Sequence, residues 1–265
     1  MISLYRIGAV TFRHLMTMKR LSWFIEIGYW TILDIIIFGS LGKATTMMNM
    51  SADPAIIQAL VTNAVFWYLV LRTSISIGFT LLTELFDMNL IAIFATPLRI
   101  LEWITSSVIV GGIAGLINFA LGWLLALIVF GCNIWSLGLT TLALMGSLLI
   151  SGWTMGLILM CVLLFVGKKG TGLAFAICWS LVPFSCVYYP IEVFPLFLQK
   201  FVLWIPMAHA FTALRSAIMT GTNPWDHIVT SLWLNVGYFA VACVLFAVMF
   251  KRSKKRGLAR LELEW

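Results

Sequence analysis

The sequence predicts an all-α, polytopic integral membrane protein: six transmembrane helices, an N-terminal amphipathic interfacial helix and an external re-entrant helical hairpin. Three observations predict it. Of 265 residues, 62% are hydrophobic and only 10% charged, whereas a soluble domain is about a quarter charged. Six apolar runs, near 22–42, 55–81, 100–131, 135–166, 172–189 and 228–250, offer the roughly 20 residues that cross a bilayer as a helix. The basic residues fall on one side. With the N-terminus inside, inside segments hold thirteen Lys and Arg (Arg6, Arg13, Lys19, Arg20, Arg99, Lys168, Lys169 and six within 251–260), and outside segments hold Lys43, Lys200 and Arg215. That bias sets the orientation, and an even number of spans puts both termini in the cytoplasm.

Residues 1–20 open the chain as an element of their own. Arg6, Arg13 and Arg20 are seven apart and share one helical face, while Leu4, Ile7, Phe12, Leu15 and Met16 fill much of the remainder. Such a helix lies flat on an anionic membrane surface. Four basic residues and no long apolar core argue against a cleavable leader. The first span carries Glu26 and Asp34, and the second carries Arg72. Ionisable groups are costly in hydrocarbon, so each is expected to face a partner, a cavity or a pathway. An Asp34–Arg72 pair inside the bundle is expected, either fixing helix register or acting in transport.

Between the second and third spans, residues 83–98 read as a short amphipathic helix. Leu85, Phe86, Leu90, Ile93, Phe94 and Leu98 recur at three- and four-residue steps, Glu84, Asp87 and Asn89 open it, and Pro97 stops it. The orientation makes it cytoplasmic. Its apolar face rests either on headgroups or on a cytosolic partner. Gly111 and Gly115, and Gly152 and Gly156, form GxxxG pairs that let helices approach closely. Residues 190–227 differ from the spans: Pro190, Pro195, Pro206 and Pro224, with Glu192, Lys200, His209, Arg215 and Asp226, point to a re-entrant or interfacial helical hairpin facing out. A basic tail, 251–265, ends the chain. Neither an internal repeat nor a second soluble domain is evident, so residues 1–265 read as one transmembrane domain.

The sequence offers little chemistry. The phosphate-loop pattern is absent, since Gly42-Lys43 and Gly167-Lys168 lack the upstream glycine and the following Ser or Thr. This chain is not expected to hydrolyse ATP, to be an enzyme, or to hold a cofactor. His14, His209 and His227 are scattered and read as ordinary polar residues without metal-ligand spacing. The five cysteines form no CxxC pair and read as small hydrophobes. Ser151-Gly152 has small neighbours like those of an intramembrane nucleophile, but lacks a GxSxG frame or an evident histidine partner. Trp23, Trp103, Trp135, Trp204 and Trp225 mark span ends, whereas Trp67, Trp123, Trp153 and Trp179 lie within spans, where packing is the default.

Two stretches resemble ABC-2-type transporter permeases. One is 84–98, with an acidic residue, Asn89-Leu90 and then Thr96-Pro97-Leu98. The other is Tyr189-Pro190-Ile191-Glu192-Val193-Phe194-Pro195, continuing through Pro206, His209-Ala210 and Leu214-Arg215. Their order, spacing and sides agree with that family, as do the N-terminal helix, six spans and basic tail. The resemblance implies the membrane half of an ATP-driven exporter in a bacterial inner membrane. Two permease copies, a homodimer or a heterodimer, would line a pathway. A separately encoded ATPase, in two copies carrying ATP and Mg, would dock beneath. Glu84 and Asp87 would make polar contacts with the ATPase, beside Asn89 and Ile93, with Phe86 and Leu90 as apolar knobs. The 190–219 hairpin, with Tyr189, Pro190, Glu192, Pro195, His209 and Arg215, would close the exit. Glu26, Asp34 and Arg72 remain the polar residues nearest a pathway. Membrane lipids are expected contacts, and nucleic acid is not. The cargo would be amphipathic or hydrophobic: a drug, lipid or lipid-linked glycan. Two other readings stay open, an ion-coupled secondary transporter using Asp34 and Arg72, and an intramembrane hydrolase using Ser151.

Overall fold

Residues 61–70 are buried without exception, and the helix that carries them sets the layout. The computed structural model describes residues 3–17, 21–47, 54–222 and 224–256, all helix and connecting turns with no strand among them. In order they form α1 (Leu4–Thr17), α2 (Leu21–Met47), α3 (Pro54–Phe86), α4 (Leu90–Ala95), α5 (Ile100–Phe130), α6 (Leu139–Val166), α7 (Thr171–Phe184), α8 (Leu196–Val202), α9 (Pro206–Met219) and α10 (Trp225–Arg256). α3 runs through the middle, touching α2, α5, α6, α7 and α9. Its most apolar stretch is 89% buried against 17% for that of α10, which lies at the periphery on α6 and α9.

Small residues make this centre possible. α5 and α6 press their GxxxG pairs onto the same two residues of α3. A Cβ at Gly152 would sit 2.8 Å from Thr73 Cβ, and one at Gly156 would sit 2.6 Å from Ile77 Cβ. From the other side, a Cβ at Gly115 would collide with Thr73 Oγ1, and one at Gly111 would lie 2.5 Å from Ile77 Cγ1. Larger residues there would drive the three helices apart. Hydrogen bonds then fix register: Thr80 with Ser107 (3.0 Å) joins α3 to α5, and Asn118 Nδ2 donates to Thr31 Oγ1 (3.0 Å) between α5 and α2. Trp67 is fully buried in this core, so it packs.

Among the described residues, four helices are long and apolar enough to cross a membrane: α3, α5, α6 and α10. α8 and α9, bent by 99° at their junction, make a fifth if they count as one crossing. These helices suit a membrane-embedded protein. α2 is a further helix of 27 residues. Three expectations are corrected in detail. The 172–189 run is helical only over the 14 residues of α7, because Pro183 sits in its last turn and Cys186 takes a left-handed backbone (φ 55°). The 83–98 segment is not one helix. α3 continues to Phe86 and ends with Asn89 N–H donating to the Glu84 carbonyl (3.0 Å), while Met88 (φ 54°) takes the left-handed position usually given to glycine. α4 begins only at Leu90. Lastly, α10 continues through Arg256, so the tail opens as helix; residues 257–265, like Lys19 and Arg20, lie outside the described residues.

Candidate functional site

Polar clusters stand at the two ends of the bundle and along its middle. At one end α1 lies across the start of α5. Arg6 and Arg13, placed on one face by their spacing, turn toward the protein. Arg6 Nη2 is 3.2 Å from Glu102 Oε1, and Arg13 Nη2 donates to Glu84 Oε2 at 2.7 Å. Both acids are buried, at 0% and 2% exposure, whereas the two arginine side chains are 30% and 46% exposed. Glu102 is also the third residue of α5. It accepts the Arg99 N–H (2.9 Å), capping the helix, and the Ser3 N–H (2.8 Å) ahead of α1. Arg6 donates to the Pro97 carbonyl as well, and Thr11 Oγ1 donates to Ser106 Oγ at 3.1 Å.

His14 completes this joint. Its ring meets Trp103 edge-on at 5.3 Å, and burial, helped by Arg13, pushes its pKa down to about 4. Phe94 of α4 links Trp103 (5.3 Å) to Phe250 of α10 (4.4 Å). Between α1 and the 84–103 elbow lies a cavity of about 350 Å³, lined by Arg13, Glu84, Ile93, Pro97 and Trp103 among others. The outer face of α1 is apolar, with Leu4, Tyr5 and Phe12 exposed.

This geometry revises the expected docking set. Glu84 is buried under Arg13, and Leu90 is fully buried, so neither offers a contact surface. Ile93 and Asn89 are half-buried, Ile93 in the cavity wall and Asn89 at the start of α4. Phe86, Asp87, Met88 and Ile91 are exposed at the start of the elbow, and Ala92, Ala95, Thr96, Pro97, Arg99 and Leu101 are exposed further along it. Met88 and Ile91 were not singled out by sequence, because the turn that presents them has no glycine or proline signal.

In the middle of the bundle, Arg72 is 6% exposed on α3. Asp34 of α2 lies beside the Tyr68 phenol, one turn from Arg72 on α3. Glu26 lies on α2, and its side chain falls outside the described residues. Ser151 donates to Asn235 Oδ1 at 2.7 Å, and Asn235 Nδ2 returns to the Ser147 carbonyl at 2.9 Å. Ser231 Oγ lies 2.8 Å from Ser147 Oγ and bonds the Pro206 carbonyl at 2.7 Å. Ser151 thus belongs to a polar seam joining α6, α10 and the start of α9.

At the opposite end the hairpin is tied down. Arg215 Nη2 donates to the carbonyls of Cys186 (2.9 Å) and Val187 (3.4 Å), and Asn63 Nδ2 of α3 donates to Val187 O at 2.7 Å. Tyr188 stacks on Phe38 at 3.9 Å between ring centres. Tyr189 O–H donates to the Pro183 carbonyl (2.8 Å). Pro190 and Pro195 precede the turn Ile191–Val193 and α8, and Glu192 is exposed. His209 Nε2 is 2.9 Å from the Leu203 carbonyl, and its ring lies 5.8 Å from that of His227, two residues the sequence left apart. No protein-family model matches the chain, and no curated protein is similar enough to it to count as a match.

Proposed function

We propose that this chain is the permease subunit of an ABC exporter, moving an amphipathic or hydrophobic substrate with work delivered by separately encoded ATPase subunits. In this reading α2, α3, α5, α6, α7 and α10 are the six spans of an ABC-2-type fold, two copies form the pathway, and the α1 end faces the cytoplasm. The observation that carries the reading is the elbow between α3 and α5. It presents Phe86 (56% exposed), Asp87, Met88 (50%) and Ile91 (47%) outward. Behind them, the Arg13–Glu84 and Arg6–Glu102 pairs brace it against α1. An apolar patch with one acid, held on a stiff support, is the form a partner needs in order to push.

The same support explains how a push would travel. Glu84 stands two residues before the end of α3, so a displaced elbow shifts the central helix itself. α3 meets α5 and α6 in close contact through glycines at Thr73 and Ile77, so a shift of α3 is passed on to both helices. The work comes from the ATPase binding its closed state more tightly than its open one. Because Glu84 and Leu90 are buried, the test uses the exposed residues. Phe86→Asp with Ile91→Asp is expected to abolish co-purification of the ATPase while the chain still folds and reaches the membrane. Undiminished ATPase binding by that variant overturns the docking assignment.

Arg72 buried on the central helix, with Asp34 nearby, favours ion-coupled transport as a second reading. Asp34→Asn separates the two: it abolishes transport under an ion gradient if coupling runs through Asp34, and leaves ATP-driven transport largely intact in the exporter.

A further inference from the structure

We infer that His209 and His227 form a two-histidine site for a divalent late transition-metal cation such as Zn²⁺ or Cu²⁺, at the junction of α9 and α10. The residues are 18 positions apart and are separated by the end of α9, so only the fold brings them together. Their ring centres are 5.8 Å apart with planes inclined by 31°. A metal–nitrogen bond of about 2.0–2.1 Å puts each ring centre about 3 Å from the ion, so two imidazoles across a tetrahedral ion stand about 5–6 Å apart. The observed spacing falls in that range.

The second observation concerns His209 alone. Its Nε2 lies 2.9 Å from the Leu203 carbonyl. A carbonyl oxygen only accepts, so Nε2 carries the proton and donates it, which leaves the Nδ1 lone pair available. That arrangement, one ring nitrogen donating to a backbone carbonyl and the other ready to bind, is how metal-binding histidines are held in position. His227 is exposed in the first turn of α10, next to the exposed Asp226. Among the described residues no group of three His, Cys, Asp or Glu comes together, so water completes the coordination and binding is of moderate strength, tighter for Cu²⁺ than for Zn²⁺. A bound ion would staple α9 to the start of α10.

The test uses the full chain in nanodiscs, with any purification tag removed, titrated calorimetrically with Zn²⁺ and followed by electron paramagnetic resonance with Cu²⁺. One Zn²⁺ per chain is expected, with Cu²⁺ bound more tightly and a Cu²⁺ spectrum showing two imidazole nitrogens. His227→Ala, an exposed change, and His209→Gln, which retains a donor for Leu203, are each expected to weaken Zn²⁺ binding at least tenfold. Absence of binding tighter than millimolar, or loss in only one or neither variant, overturns the site.

Discussion

The α1 end and the hairpin end are fastened by different physics. At the α1 end two acids sit buried beneath two partly exposed arginines, with a neutral histidine packed on Trp103 and a cavity of about 350 Å³ alongside. At the hairpin end a single arginine and an asparagine bond to backbone carbonyls of a left-handed turn, and aromatic rings stack around it. Exposed charges are screened by salt and can be titrated away, whereas bonds to carbonyls respond to neither. The first end is built as a joint that conditions can loosen; the second is built as a fixed cap.

The largest effect expected of a single change lies at the cap. Arg215→Met keeps most of the side chain's bulk but strips the donors from the Cys186 and Val187 carbonyls, and should lower stability by about 2–3 kcal/mol in thermal unfolding. A smaller loss than that of Asn63→Leu would show that Asn63, not Arg215, holds the turn. Acidification should act at the joint. His14 is held at about 4 when α1 is docked, against an ordinary 6.5. Between those values the undocked state binds more protons, so docking is full above 6.5 and weakens as pH falls toward 4. At pH 5 the docking equilibrium should fall by about thirtyfold relative to pH 7.5, read as faster hydrogen exchange over residues 4–17 and not over 206–219. His14→Phe should remove the His14 share of that dependence, leaving what Glu84, raised by burial, and Glu102, lowered by its backbone hydrogen bonds, contribute. Raising salt from 0.1 to 0.5 M should loosen α1 about two- to threefold and leave α9 unchanged. Smallest of all, Thr11→Val removes one 3.1 Å bond to Ser106 and should cost α1 docking less than about 1 kcal/mol.

The sequence made the long helices and the faces of the short ones legible. The seven-residue spacing of Arg6 and Arg13 put them on one side of α1, and the GxxxG pairs marked close approach. Partners were not legible, because Glu84 and Glu102 lie 71 and 96 residues beyond the arginines they hold and α1 could equally have turned its charges to headgroups. The break at 87–89 was hidden because Met88, not glycine, takes the left-handed position. Leu90 and Ile93 followed a helical stripe in the sequence, but burial in the fold separates them from Phe86. Ser151 donates its hydroxyl to Asn235 on α10, a partner 84 residues away that no local pattern could name. Periodicity reports which face a residue shares, and packing alone decides what that face meets.

Under the proposed function a partner ATPase works on the α1 end. Purification of the chain from its native membrane in mild detergent, followed by intact mass measurement, tests it most directly. The expected result is a complex of two permease chains with two ATPase chains, in which ATP alters hydrogen exchange over residues 4–17 and 84–103 before it alters the hairpin. A chain that runs alone, and transports in liposomes under an ion gradient without ATP, would contradict it.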